Sequence, residues 1–427
     1  MWPREIRLAS SPAGCLGESC MSDLRQVKAF SPNARRILVS TFLAGLGASA
    51  FTLLYNLYLL SLGYQADFIG LVSSVTTLST AAAGPVVVLL GRRVSFGALL
   101  RLGFVLQAVG CAGQAVSVAP AGIAAFAVVF GLSQGLYWAP LPPFLAENSA
   151  PEARSSLFSM NIAVQLLAGI LGYLAGGQTP VLLSSLAGVD GLTSYRVTLV
   201  LATAVASLAV VPMSGLHRAP VHAEQASMLQ APTVGKDRAT RAHVVALGLS
   251  SLSMGVSTGL SFPFFNVYFA QQQGASPELI GRVFAASSVF SVGAALAAPA
   301  TAERLGYVRA IAAARLGAGA AMGALAVSSM MPAAVVAFWL RNMMLQLMAP
   351  LIDAFGMMVV PPRRRGLLAS TTSTLWHGGY ALASALTGLL IVRVGFVPPF
   401  LAAAAVIVLN AVAFLAYFRG WQPRVER

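Results

Sequence analysis

Among the ionisable side chains inside long apolar runs, which include Arg101 and Arg315, three are candidates for function: Arg341, Asp353 and His377. A charge at the centre of a membrane-crossing helix costs about 2.5–3.5 kcal/mol on insertion scales, so it persists where it lines a wet cavity or meets a partner. Arg341 lies nine residues inside the run 332–358, and His377 a similar depth inside 368–392, which predicts mid-depth for both. Asp353 follows Arg341 by twelve positions. That is about 18 Å along a helix and about 120° around it, so the two are not direct partners. Arg341 suits a cavity, a carbonyl cluster or an anionic ligand. Asp353 and His377 are the proton carriers available for coupling. The plainer alternatives are an aspartate at a helix mouth and a histidine bonded to a neighbouring carbonyl. Uncharged polar groups accompany them in other runs: Tyr55 and Asn56, Gln134 and Trp138, Asn161 and Gln165, Asn266 and Tyr268. These could touch a ligand or stitch helices together by hydrogen bonds.

Enzyme chemistry finds little support. No paired-carboxylate motif, histidine cluster or phosphate-binding loop of the G-x-x-x-x-G-K type occurs. Cys15, Cys20 and Cys111 lack metal-ligand spacing, so neither a catalytic residue, a metal nor a cofactor is expected.

The elements that must position these groups follow from composition. Of 427 residues, 57% are hydrophobic and 9% charged, against about 25% charged in a soluble domain. So little polar material cannot cover a water-facing surface, and the chain reads as an all-α polytopic membrane protein. Apolar runs long enough to cross a bilayer fall at 37–60, 67–90, 96–118, 121–146, 156–180 and 192–213. After the polar stretch 214–240 come 241–270, 277–300, 306–329, 332–358, 368–392 and 397–419. The organisation is a tail (1–36), a six-helix bundle (37–213), a linker (214–240), a second bundle (241–419) and a tail (420–427). Residues 1–36 lack the apolar core of a cleaved leader, and Met21 is a second candidate start.

The net charge of +14 suggests nucleic acid until its placement is read. With both termini inside, 21 basic residues fall in inner segments and three (Arg196, Arg282, Arg393) in outer loops. That asymmetry is the positive-inside pattern, expected of a multi-pass protein of the inner (plasma) membrane with cytoplasmic termini. Nucleic-acid binding then loses its support, and the partners expected are the lipid bilayer and a small molecule.

The two halves also repeat one another. "NLYLLSLGYQADFIG" (56–70) returns as "NVYFAQQQGASPELIG" (266–281), and Pro140, Pro151 and Arg154 pair with Pro350, Pro361 and Arg364 at the same offset of 210. Because six is even, both copies enter the membrane in the same sense, the parallel-repeat arrangement of certain secondary transporters.

On these residues the chain resembles the major facilitator superfamily. The stretch "GPVVVLLGRR" (84–93) is similar to the family's G-x-x-x-D-R-x-G-R-R loop, keeping Gly84, Gly91, Arg92 and Arg93 but placing Val88 at the acidic position. "PATAERLGYVR" (299–309) keeps Glu303, Arg304 and Gly306. The resemblance implies two six-helix bundles related by a pseudo-two-fold axis along the membrane normal, and a cytoplasmic gate latched by such charges. Glu147 is the substitute acid expected near Arg92, Arg93 or Arg154. Alternatively, Arg92 and Arg93 merely set topology. "AGILGYLAGG" (168–177) resembles an exporter motif but also reads as a helix-packing surface. "GLSQG" (131–135) looks like a family motif whose arginine is missing, while Arg341 stands at the equivalent depth of the tenth run.

The resemblance implies a monomeric secondary transporter working by alternating access. It would be an exporter of a drug, metabolite or amphipathic anion, with proton coupling as an open question. A uniporter or importer, a polytopic enzyme and a transport-dead sensor are the alternatives.

Overall fold

A computed structural model describes residues 30–91, 93–150, 153–216 and 238–421, so Arg92, Pro151 and most of both tails and the linker lie outside the described residues. Among the described residues, twelve helices are long and apolar enough to cross a membrane. They are α1 (Pro32–Ser61), α2 (Ala66–Leu90), α3 (Phe96–Val116), α4 (Pro120–Glu147), α5 (Arg154–Ala187) and α6 (Gly191–Ser214), then α7 (Thr240–Gln271), α8 (Pro277–Leu296), α9 (Tyr307–Val327), α10 (Met331–Val359), α11 (Pro362–Val394) and α12 (Val397–Phe418).

Local chemistry sets the boundaries. Ser31 accepts from the Ala34 amide and Pro32 follows it, so α1 begins inside the expected tail. Helix α5 runs on to Ala187 because Pro180 is tolerated in its interior and Gly188, at φ +62°, supplies the left-handed stop. The run expected at 277–300 ends at Leu296, and a short helix, Ala298–Leu305, carries on to Gly306 at φ +75°.

Within the first half, α1 packs on α5 and α6, α2 on α4, and α3 on α4 and α6. Adding six to each label gives the second half's contacts: α7 on α11 and α12, α8 on α10, and α9 on α10 and α12. The bundles meet along α2 with α11 and along α5 with α8, two seams that the same operation exchanges. Such exchange is the signature of a parallel two-fold.

Both seams occupy one end of the molecule. The face bearing the start of α1 and the end of α12 is here the terminal face, and the seams lie at the opposite, far face. Gly70 on α2 meets Gly388 on α11, and Gly281 on α8 meets Gly177 on α5. Gly281 and Gly388 follow Gly70 and Gly177 by the same 211 positions. A Cβ on Gly281 would stand 2.5 Å from the Tyr173 carbonyl oxygen, and one on Gly177 would stand 2.6 Å from that of Pro277. On the other seam a Cβ would strike the carbonyls of Ser384 and Ala66, which again follow Tyr173 and precede Pro277 by 211 positions. Backbones this close need residues without side chains.

The apolar core repeats the asymmetry. At the far face one buried cluster is continuous through both bundles, from Leu54 and Ile69 to Phe265 and Phe400. Toward the terminal face each bundle has its own cluster, around Phe104 and Phe144 in one and around Ile311 and Phe355 in the other. The molecule is closed at its far face and parted at its terminal face.

Gly281→Val is therefore expected to open the far face. Cross-linking of a Ser74→Cys/Ala381→Cys pair on the other seam should fall at least about fivefold if the bundles move as rigid bodies. Undiminished cross-linking with normal helical content would show that each seam yields alone.

Candidate functional site

The far closure leaves a space between the bundles, and its walls explain most of the polar residues. Pro263 breaks α7, giving a short 3₁₀ segment, Phe262–Phe264, before the helix resumes at Phe265. The Val267 amide, which would otherwise bond the Pro263 carbonyl, goes instead to Asn266 Oδ1 at 3.0 Å. The freed Pro263 carbonyl accepts from Asn56 Nδ2 at 2.7 Å. In return Asn266 Nδ2 donates to the Leu53 carbonyl at 2.8 Å, and Asn56 Nδ2 lies 3.2 Å from Asn266 Oδ1. Leu53 and Pro263 are separated by the same 210 positions as the two asparagines, so the clasp is reciprocal across the two-fold.

Beneath this clasp are two adjoining chambers of about 170 Å³ and about 400 Å³ that share Thr52, Tyr173 and Phe262 as walls. Tyr55, Asn56 and Asn266 line the far chamber. Gln134, Trp138 and Gln165 line the chamber nearer the terminal face. There Gln165 Nε2 donates to Tyr137 Oη at 3.1 Å, and Thr41 stands 3.3 Å from the same hydroxyl. Thr41 also donates to Asn161 Oδ1 at 3.4 Å, which places Asn161 behind the wall. Neither chamber is lined by a charged residue or a histidine.

Besides Asn161, two expected cavity residues face elsewhere, Tyr268 and Arg341. Tyr268 is buried in its own bundle, where its hydroxyl donates to the Leu325 carbonyl at 3.0 Å. Tyr58 does the same in the first half, to the Ala115 carbonyl at 3.1 Å. In each Asn-x-Tyr, then, the asparagine crosses the two-fold and the tyrosine anchors its helix at home.

Arg341 is the larger correction. It is only 2% exposed and does not line either chamber. Its guanidinium lies 4.9 Å from the Phe265 ring centroid and donates to Asn342 Oδ1 at 2.8 Å and Ser261 Oγ at 3.3 Å. Asn342 in turn donates to Ser287 Oγ on α8 at 2.9 Å. Ser261 and Phe265 flank the break in α7, so the arginine braces the bend that presents the Pro263 carbonyl. A ring face and two neutral acceptors replace the expected cavity or anion. Arg315 shows the same solution on α9, with its Nε 3.1 Å from Met348 Sδ and its guanidinium 4.6 Å from the Phe414 centroid.

The other candidates are peripheral to the chambers. Asp353 is exposed near the terminal end of α10. His377 Nδ1 donates to the Ser373 carbonyl at 2.8 Å, one turn back, and its ring meets Trp376 edge-on. At the terminal face Arg93, Glu147, Glu303 and Arg304 are exposed, and Arg154 reaches the Ala146 carbonyl at 3.4 Å. A Cβ on Gly84 would have open space around it, whereas Gly306 is required by its positive φ. Gly91 ends α2, its amide on the Val87 carbonyl at 2.8 Å. Sequence reasoning missed Tyr137, Tyr173, Tyr380 and Gln114, all on the chamber walls. Nothing in their spacing separates them from ordinary core residues.

A family model described as Major Facilitator Superfamily matches residues 37–246 and 245–427. The chain belongs to the major facilitator superfamily. Solved structures with this superfamily fold include a bacterial homolog of the human lysosomal transporter Spinster, in an inward-facing and unoccupied conformation, at TM-score 0.73 and 13% identity over 92% of this chain and 98% of that one. The nucleoside transporter NupG is similar at 0.69 and 15%, over 91% and 100%, and a D-xylose-proton symporter at 0.70 and 13%, over 92% and 97%. No curated protein sequence matches the chain. Such identities carry the fold alone. The chain is thus a multi-pass membrane protein of the superfamily, and the cavity between its bundles is where a superfamily transporter would hold a solute.

As a brace, Arg341 has a testable energetic role. Arg341→Ala loses a ring contact and two charge-assisted hydrogen bonds, and is expected to destabilise the purified protein by about 2–4 kcal/mol. Arg341→Met, which refills the volume without a buried charge, should lose less than half of that. Thermal unfolding checks both.

Proposed function

We propose that the chain is a secondary transporter that carries an uncharged, ring-bearing or hydroxylated small molecule by alternating access. The observation that carries this is the chamber pair beside the clasp, the far one between the bundles and the other walled mainly by the first, with aromatic rings and amides on the walls and no charged lining residue. A charged solute would be desolvated there without a counter-charge, so the amphipathic-anion reading gives way to a neutral one. A nucleoside and D-xylose, named for two of the similar structures, are solutes of this uncharged class.

The positive-inside bias supports a terminal face in the cytoplasm of a plasma membrane, which makes the described conformation inward-open. Glu147 with Arg93, Arg154 or Arg92 would then latch the cytoplasmic face when the outer face opens, with Glu303 and Arg304 in the corresponding place of the other half. The glycines of 168–177 pack against α1 and α8, which accounts for them without an exporter role. Direction would follow the solute gradient, which for an accumulated metabolite or drug is efflux, with a single chain sufficient for transport.

Proton-coupled export is the second reading. Asp353 favours it, because an exposed carboxylate on a membrane-crossing helix is costly unless it meets water between the bundles.

Counterflow of labelled uridine and D-xylose in proteoliposomes separates the readings. The neutral-cavity reading expects saturable counterflow without a pH gradient, retained in Asp353→Asn and His377→Ala within about twofold. Flux that needs a gradient and is lost in Asp353→Asn would establish coupling. Absence of flux for every neutral solute would defeat the transporter reading.

A further inference from the structure

The chamber nearer the terminal face is built almost wholly by the first bundle. Of the described residues on its wall, Phe262 alone comes from the second. Four wall side chains, Ser49 and Thr52 on α1 and Gln134 and Trp138 on α4, make no hydrogen bond among the described residues. Thr52 and Trp138 are exposed, Ser49 and Gln134 are half-buried, and their polar atoms are open rather than sealed. Gln165 gives its Nε2 to Tyr137 and leaves Oε1 open in the same way.

The two-fold turns this into a contrast between the halves. At the offset of 210, Ser49, Thr52, Gln134 and Trp138 correspond to Gly259, Phe262, Met344 and Met348. Each open polar side chain on α1 and α4 thus has a counterpart on α7 or α10 that offers no hydrogen bond of its own. Thr52 and Phe262 show it most directly, since they are such a pair and both line both chambers, the ring 49% exposed. A solute lying there meets hydrogen-bonding groups on one side and an apolar ring on the other. Hydroxyls and a carboxamide both donate and accept, so their matching partners are groups that do both, namely hydroxyls. Trp138, 55% exposed and met edge-on by Tyr137 with centroids 5.2 Å apart, sets a flat ring beside them.

We propose that the solute is held one-sidedly, with a hydroxyl-rich edge on Ser49, Thr52, Gln134 and the open Gln165 oxygen of the first bundle and an apolar face toward Phe262 of the second. The class this selects is the neutral glycoside, a hydroxylated ring carrying an apolar substituent. A bare sugar leaves Phe262 unused, whereas a bare arene desolvates the amides and hydroxyls without pairing them. The proposal rests on the transporter reading and narrows it to a substrate class.

Equilibrium binding of labelled phenyl β-D-glucoside to the purified full-length protein tests it, with D-glucose as competitor and thermal unfolding alongside. The glucoside is expected to bind saturably, and D-glucose, which keeps the hydroxyls but lacks the ring, to compete at least about tenfold more weakly. Gln134→Leu should weaken glucoside binding by about tenfold, and the isosteric Thr52→Val by about threefold. Ligand-free melting temperatures should hold in both, because neither side chain hydrogen-bonds within the protein. Phe262→Ala should abolish the preference for the glucoside over D-glucose. Met344→Leu, at the two-fold counterpart of Gln134, should bind within about twofold of wild type. Absence of saturable binding, equal competition by D-glucose, or wild-type affinity in both Gln134→Leu and Thr52→Val overturns the proposal. So does a preference that survives Phe262→Ala, or a loss in Met344→Leu as large as that in Gln134→Leu. Lowered melting temperatures in both first-bundle variants would assign those side chains a structural role and count against it. The two readings fail separately: a protein that binds the glucoside but moves no solute keeps the site and loses the transporter. One that carries solutes without binding the glucoside does the reverse.

Discussion

Two asparagine side chains, each donating to a backbone carbonyl of the opposite bundle, fix where the halves of this molecule touch. The contact depends on a proline that breaks α7 and on the Asn266 side chain that takes the amide partner away from the Pro263 carbonyl. Everything toward the far face follows from it. With the axis pinned at Asn56 and Asn266, the outer ends of α2 and α11, and of α5 and α8, are brought to backbone contact, which only glycine at positions 70, 177, 281 and 388 allows. The same pin leaves the terminal ends free to part, and each bundle there keeps a separate apolar cluster.

This closure uses weak forces that can be reversed. In a bilayer the helices gain little from the hydrophobic effect on meeting, so association rests on close packing and on hydrogen bonds of modest worth, about 0.6 kcal/mol on average in measured cases. The described seam contacts are of that kind: glycine on glycine, Ser74 to the Ala381 carbonyl, Ser384 to the Gly70 carbonyl at 3.2 Å. A gate held by such contacts can open without breaking a buried ion pair, which would cost several kcal/mol. Charges are instead concentrated at the terminal face, where Arg93, Glu303 and Arg304 meet solvent.

The buried arginines obey the same constraint. With no carboxylate within reach, Arg315 and Arg341 each set the guanidinium against an aromatic ring and donate to sulfur or neutral oxygen. Arg341 thereby joins α7, α8 and α10 through Ser261, Asn342 and Ser287, around the bend that makes the clasp possible. Its burial there braces the bend in α7, while the chambers beneath are lined by rings, amides and hydroxyls.

Span count, the likeness of the halves and the charge bias were legible in one dimension, because each depends on what is near in sequence or repeated at one offset. Twelve apolar runs became twelve helices, and the pairs Asn56 with Asn266 and Gly70 with Gly281 were visible as a duplicated phrase. What stayed hidden was the direction each side chain faces. A helical residue turns about 100° from its neighbour, and a break such as that at Pro263 resets the phase beyond it. So Arg341 and Tyr268 are buried within their own bundle, while Tyr137 and Tyr173, unremarkable in sequence, line the chambers. Only the packing of twelve helices around a two-fold axis could decide that, because a cavity wall is composed of residues from helices that sequence order keeps apart.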